Sequence, residues 1–177
     1  MPRANTTRTV AATIACILAA GSGHVADAKP KRGEQATAQP NSTSRATREI
    51  VALTNRERTR RGLRALSIDG RCVSAISGHV ADMAKSGFLS HSGSDGRGPD
   101  QRYRKYSPRS LGAGENLAYN SAGTANAFMQ QWLNSSIHRG NILNPKYKGI
   151  GVAVRVICSG QGKERRCTYY AGQCFSL

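Results

Sequence analysis

Acidic side chains are scarce in this sequence. Ten Asp and Glu stand against 26 Lys and Arg in 177 residues, a formal net charge of +16. The excess argues against an acidic, solvating chain and for attraction to anionic polymers, such as phosphate-rich components of a cell envelope. Aromatic residues are few, at 6 %, and they do not interleave with the basic ones. A specific nucleic-acid site built on stacked bases is therefore not expected. Long apolar runs are missing too. Val10 to Ala20 is apolar, but a bilayer-spanning helix needs about 20 residues, and no other stretch qualifies. No two cysteines have the CxxC spacing that would hold zinc. Nothing has the form of a nucleophile elbow, which argues against a serine hydrolase of that kind.

What is present begins with a leader. Arg3 and Arg8 precede the apolar run, and Ala26-Asp27-Ala28 forms a small-x-small cleavage site. Residues 1–28 are expected to be a signal peptide, so the chain is secreted or periplasmic, with no transmembrane segment after cleavage. Cys16 offers lipidation as the alternative, but Thr13-Ile14-Ala15 before it lacks the usual leucine. Residues 29–46, rich in Lys, Pro, Gln, Ser and Thr, have little to bury and are expected to form a disordered basic linker. The folded domain is expected over 47–177.

Cys72, Cys158, Cys167 and Cys174 remain after cleavage. An even number in an exported chain argues for two disulfides, with three pairings open. Cys158–Cys167 and Cys72–Cys174 are favoured. The first staples a hairpin across a Gly-rich loop, and the second ties the last strand to an early helix.

Helical spacing predicts a first helix from about Thr47, with Glu49 in its first turn, Arg56, Arg58, Arg60 and Arg61 toward its end and Gly62 as its stop. A second helix starts at an Asp69 cap and carries the stripe Cys72, Ala75, Ile76, His79, Val80, Met83 and Ala84 up to Gly87. His79 reads as a hydrogen-bonded core histidine. His91 follows Phe88 and Leu89 and precedes a Gly/Ser/Asp loop, so its imidazole is expected at the edge of the core facing open space. Asp100 to Tyr106 reads as a short basic helix. Glu115 stands among glycines and apolar residues, and a carboxylate there must be paired or exposed. Thr124 caps a helix reaching Trp132, the only tryptophan. From Lys148 the pattern alternates: Ile150, Val152, Val154 and Val156 share one face, and Thr168 to Phe175 returns as the partner strand. The sheet is thus expected late in the chain and antiparallel.

Three segments, FLSHS (88–92), GENLA (114–118) and W-x-x-S-x-x-HR-x-NILNP (132–145), occur in that order. Together with LTNRERTRRGL (53–63) and GHVADMAKSGF (78–88), they resemble the bacterial branch of the CAP superfamily, whose domain is also called the SCP domain. The resemblance covers about Thr47 to the C-terminus. It implies an α+β fold, an α-β-α three-layer sandwich with a small, largely antiparallel sheet. It also implies a central cleft that in many eukaryotic members carries two histidines and two acidic residues. The matching positions here are His91, Glu115 and His138, while the second glutamate falls at Ser135. Asn116 and Ser135 are expected to line the same cleft. The superfamily is known more for binding and signalling, including sterol and lipid binding, than for a shared enzymatic activity.

Two imidazoles and a carboxylate facing one cleft can hold zinc or another divalent metal, with His91 and His138 as ligands and water in the fourth position. The same groups can instead form a hydrogen-bonded network that orients a ligand. His138, beside Arg139, is expected to lose its proton readily. Ser135 and Ser136 before His138 invite a Ser-His hydrolase reading, but adjacent serines there also suit helix capping. The sequence therefore leads to an exported cleft protein for a lipid or cell-envelope component, with no catalytic residue assigned. The alternatives are a zinc-dependent or Ser-His envelope hydrolase, and an adhesion module for anionic polymers. Asn141, Asn144 and Pro145 read as the turn that delivers the chain into the sheet.

Overall fold

The computed structural model describes residues 40–177. The expected signal peptide and most of the expected linker lie outside the described residues. The elements are α1 (Pro40–Thr59), β1 (Ser67–Ile68), α2 (Gly70–Ser86), α3 (Pro99–Arg104), β2 (Ala113–Asn120), α4 (Ala125–Asn134), α5 (Ser136–Ile142), β3 (Gly149–Ser159) and β4 (Arg166–Ser176). One 3₁₀ turn, Gly162–Glu164, lies between β3 and β4.

The helix ends follow local chemistry. The Asp69 carboxylate accepts from the Arg71 N–H at the start of α2, and Gly87 ends that helix in the left-handed region at φ 71°. Thr124 caps α4 by accepting from the Ala127 N–H. Ser135 caps α5 by accepting from the His138 N–H. Helix α1 departs from expectation. It starts at Pro40, inside the stretch read as linker up to 46, because proline suits a first turn and Ala46 and Ile50 are already buried. Glu49 therefore sits mid-helix, where it pairs with Arg45 at 2.7 Å.

The sheet has the order β1-β3-β4-β2. Strand β1 runs parallel to β3, while β3–β4 and β2–β4 are antiparallel. Strand β2 is an addition to the expected late hairpin. Its glycines and polar residues hide the period-two pattern, and pairing with β4 from Ala113↔Ser176 to Asn120↔Tyr169 makes it a strand.

Strand β3 shows why the sheet is covered on both faces. Ile150, Val152 and Val154 pack with Ile50 of α1, Phe128 and Trp132 of α4 and Ile142 of α5. Ala153, of the opposite phase, packs with Cys72, Ile76 and Val80 of α2. Gly151 lets α2 approach, since a Cβ there would lie 2.3 Å from the Cys72 carbonyl carbon and the Val73 nitrogen. The result is the three-layer α-β-α sandwich of an α+β fold. Both disulfides have the favoured pairing: Cys72–Cys174 ties α2 to β4, and Cys158–Cys167 joins β3 to β4.

Arg58 is not a free member of the basic cluster at the end of α1. It is 1 % exposed, and its guanidinium donates to the carbonyls of Arg64, Ile142 and Asn144 at 2.7–2.9 Å. It thereby satisfies the C-terminal carbonyls of α5 and anchors the helix that carries His138.

Candidate functional site

The site forms around β2, an outermost strand of the sheet. Alternation sends neighbouring side chains of β2 to opposite faces. Glu115 goes to the α2–α3 face and Asn116 to the α4–α5 face, so two networks meet across one strand.

On the first face the Glu115 side chain is 4 % exposed. Its Oε1 lies 2.8 Å from His91 Nδ1, and its Oε2 accepts from Arg102 Nη2 at 2.7 Å. Arg102 Nη1 also donates to the carbonyls of His91, at 3.0 Å, and of Arg97. Arg102 thus fixes both the carboxylate and the segment that carries His91. His79, 2 % exposed, holds the same segment from behind, with Nε2 donating to the Ser90 carbonyl at 2.7 Å.

On the second face Asn116 Nδ2 donates to the His138 carbonyl and to Gln173 Oε1, each at 3.0 Å. Gln173 Nε2 donates onward to Thr54 Oγ1 at 2.8 Å. Asn141 is more than a turn residue: its Nδ2 donates to the Glu115 carbonyl at 3.1 Å and to Asn116 Oδ1 at 2.9 Å. This amide relay locks α5 against β2. Arg139 Nη1 donates to the Leu133 carbonyl at the end of α4 at 2.8 Å.

The structure brings His91 and Glu115 into direct contact and places Asn116 and Ser135 against the backbone of His138. The His138 imidazole has no hydrogen-bond partner among the described residues. Burial first, and then the nearby His91, hold its pKa below the usual histidine value. The direction matches expectation, but the cause is not Arg139. His91 is shifted the other way, raised chiefly by its hydrogen bond to Glu115. Burial lowers His79.

This donor set does not fit a divalent metal. Both oxygens of Glu115 are engaged, one of them by a guanidinium that already supplies the positive charge. Ser135 replaces a carboxylate with a helix cap. Among the described residues no three His, Cys, Asp or Glu side chains group at metal-holding distance. Ser135 Oγ accepts from the backbone N–H of His138 at 3.4 Å and makes no hydrogen bond to an imidazole among the described residues.

Beside His138 lies an open hollow of about 440 Å³, with Leu89, Leu117, Trp132 and Tyr119 on its walls and Gln131, Ser135 and His138 at its polar end. Trp132 is fully buried, yet its Nε1–H has no partner among the described residues. On β2, the Glu115 and Tyr119 carbonyls are covered by Asn141 and by Gln131, the latter at 3.3 Å. Leu117, between them in the same phase, lines the hollow. Sequence reasoning misses Arg102, Asn141, Gln173 and Arg58, whose roles rest on partners distant in the chain.

Comparison with known proteins agrees with this fold. A family model described as the cysteine-rich secretory protein family, CAP, matches residues 51–175. The Bacillus subtilis protein YkwD is 32 % identical over 127 residues, covering 72 % of this chain and 49 % of that protein. The B. subtilis membrane protein YlbC is 34 % identical over 107 residues, covering 60 % of this chain and 31 % of that protein. The chain thus spans less than half the length of these curated relatives. An extracellular SCP-domain protein from Bacillus anthracis superposes with TM-score 0.62 at 27 % identity, over 76 % of this chain and 41 % of that one. An outer surface protein of Borrelia burgdorferi shares the fold, with TM-score 0.60 at 18 % identity over 75 % of this chain and 92 % of that one. With its motifs, its sandwich fold and a family match over most of its length, the chain belongs to the cysteine-rich secretory protein (CAP) family.

Proposed function

We propose that this protein is an exported, non-catalytic binding protein whose hollow beside β2 takes an amphipathic ligand of the cell envelope. The observation that carries the reading is the composition of that hollow. Its size of about 440 Å³ falls within the range of small-molecule sites. Leu89 and Tyr119, both exposed on its walls, suit an acyl or other apolar portion, and Ser135 and His138 suit a polar group. The two disulfides and the extracellular relative support export.

Trp132 is the only tryptophan, so its fluorescence reports on the hollow alone. Titration with a brominated fatty acid is expected to quench it saturably, and Leu89→Asp, at an exposed position on the wall of the hollow, is expected to abolish that quenching while the fold persists. Unsaturable quenching, the same in wild type and variant, would remove this reading.

A second reading rests on charge. Arg48, Arg56, Arg64, Lys85 and Arg109 are exposed and have no carboxylate partner among the described residues. Such a surface adheres to anionic polymers with an affinity that collapses between low and physiological salt. Binding to immobilised polyphosphate at both ionic strengths tests it, and salt-independent retention counts against it.

A further inference from the structure

A separate hollow of about 700 Å³ opens at the opposite edge of the sheet from β2, where β1 has β3 on one side and no strand on the other. Arg64, Ile68, Arg71, Tyr106, Lys148 and Leu177 are among the residues that line it. All six are exposed, Ile68 to 62 %.

The backbone of β1 is only half used. The Ser67 and Asp69 N–H groups donate to the Lys148 and Ile150 carbonyls at 2.9 and 3.0 Å. Alternation turns the N–H and C=O of Ile68 the other way, off the open edge. Neither has a partner among the described residues. Leu66, two residues earlier, has the same outward phase. There the Asn55 side-chain amide accepts from the Leu66 N–H at 2.8 Å and donates to its C=O at 2.9 Å. Asn55 thus does for Leu66 what a peptide group of an added strand would do, and Ile68 is the next place along that row.

The side chains around Ile68 set the charge of what fits. Arg64, Arg71 and Lys148 stand against one acidic side chain, Asp69. Asp69 is already committed to Arg71 and to the Tyr103 and Ser176 hydroxyls. Arg64 and Lys148 pair with no carboxylate among the described residues. Arg58 holds the Arg64 carbonyl at 2.9 Å, which fixes the root of that side chain. A free carboxylate or phosphate would suit the cations but has no hydrogen for the Ile68 carbonyl. A bilayer offers no row of amides, and it meets a concave surface here. An acidic peptide in extended form supplies the donor, the acceptor and the negative charge together. We infer that the β1 edge is a docking site for an extended acidic peptide segment, which adds a strand at Ile68 and sets its carboxylates against Arg64, Arg71 and Lys148.

The test is NMR of the isotopically labelled full chain titrated to millimolar concentration with the acetylated, amidated peptide Glu-Val-Glu-Val-Glu. The Ile68 amide is expected to shift and its hydrogen exchange to slow several-fold at saturation. The same peptide with lysine in place of glutamate, and vesicles of phosphatidylglycerol, are expected to leave that exchange unchanged. Ile68→Pro removes the outward N–H, touches no bond to β3 and suits an edge strand; it is expected to abolish binding. Arg64→Glu, at an exposed position, is expected to weaken binding several-fold with the fold intact. Absence of peptide binding overturns the inference. So does saturable binding with unchanged Ile68 exchange, or equal binding by wild type and both variants, which would leave charge attraction alone. Slowing of Ile68 exchange by the vesicles and not by the peptide overturns it too, and makes the edge a membrane surface.

Discussion

Arg102 Nη2 lies 2.7 Å from Glu115 Oε2, with the two side chains 10 % and 4 % exposed. Deleting one partner of so dry a pair leaves the other charge without water. Arg102→Met and Glu115→Gln are each expected to cost about 3–5 kcal/mol. The double variant is expected to lose less than the sum, because each single change already removes the shared interaction. Urea unfolding of the four proteins measures this, and strictly additive losses would show that the pair is not coupled.

The same pair governs metal uptake. With Oε1 facing His91 and Oε2 held by Arg102, a divalent cation finds no open carboxylate. Dialysis against zinc followed by metal analysis is expected to give well below one equivalent for the wild type. Arg102→Met, which releases Oε2 beside His91, is expected to raise that content. A full equivalent in the wild type, lost in Glu115→Gln, would establish a metal centre instead.

His91 and His138 are expected to titrate on opposite sides of the ordinary histidine value. The Glu115 hydrogen bond raises His91, whereas burial and the His91 charge lower His138. For His91 the folded pKa exceeds the unfolded one, so its stabilising contribution is complete below about 6.5 and fades as pH rises through the folded value. For His138 the sign reverses: its contribution is present above about 6.5 and is lost as pH falls through the depressed value. NMR titration of the ring protons reads both. Glu115→Gln should drop His91 toward the ordinary value, and an unchanged His91 would sever the proposed cause.

The ends of the helices were legible in the sequence because capping is local. Asp69, Gly87 and Thr124 act within a few residues of themselves. Strand β2 was not, because Gly114, Glu115, Asn116 and Asn120 break any apolar alternation and its partner, β4, begins only at Arg166. Arg58 looked like one of four arginines at a helix end. Only the carbonyls of Ile142 and Asn144, 84 and 86 positions away, distinguish it. The contact of His91 with Glu115 spans 24 positions, and it could be anticipated only because both stand in segments that resemble one family. Arg102 lay in no such segment, so the group that fills the cation's role in the site came from the fold alone.

Asp69 joins three elements through one carboxylate. Burial alone would raise its pKa, but hydrogen bonds from Tyr103, Ser176 and Arg71 outweigh that and lower it to about 2. A depressed carboxylate contributes stability above its unfolded pKa and loses it as pH falls through the folded one. The loss should therefore develop between about pH 4 and 2 and amount to about 2 kcal/mol. Asp69→Asn is expected to be less stable at neutral pH and to flatten the acid limb of the stability curve. An acid limb of unchanged steepness would assign the transition to other carboxylates.

Gly151 sets how closely α2 lies on the sheet. A Cβ there would sit 2.3 Å from the Cys72 carbonyl carbon and the Val73 nitrogen, and backbone atoms cannot rotate aside. The Cys72–Cys174 disulfide pins that end of α2 to β4, so the helix cannot slide to make room. Gly151→Ala is expected to cost at least the upper end of the usual 1–3 kcal/mol for overpacking. The strain should also travel along α2 to His79, whose Nε2 holds the Ser90 carbonyl, and so loosen the His91 segment. Thermal unfolding measures the first effect, and amide hydrogen exchange over 88–98 the second. A destabilised variant with unchanged exchange there would separate the packing of α2 from the positioning of His91.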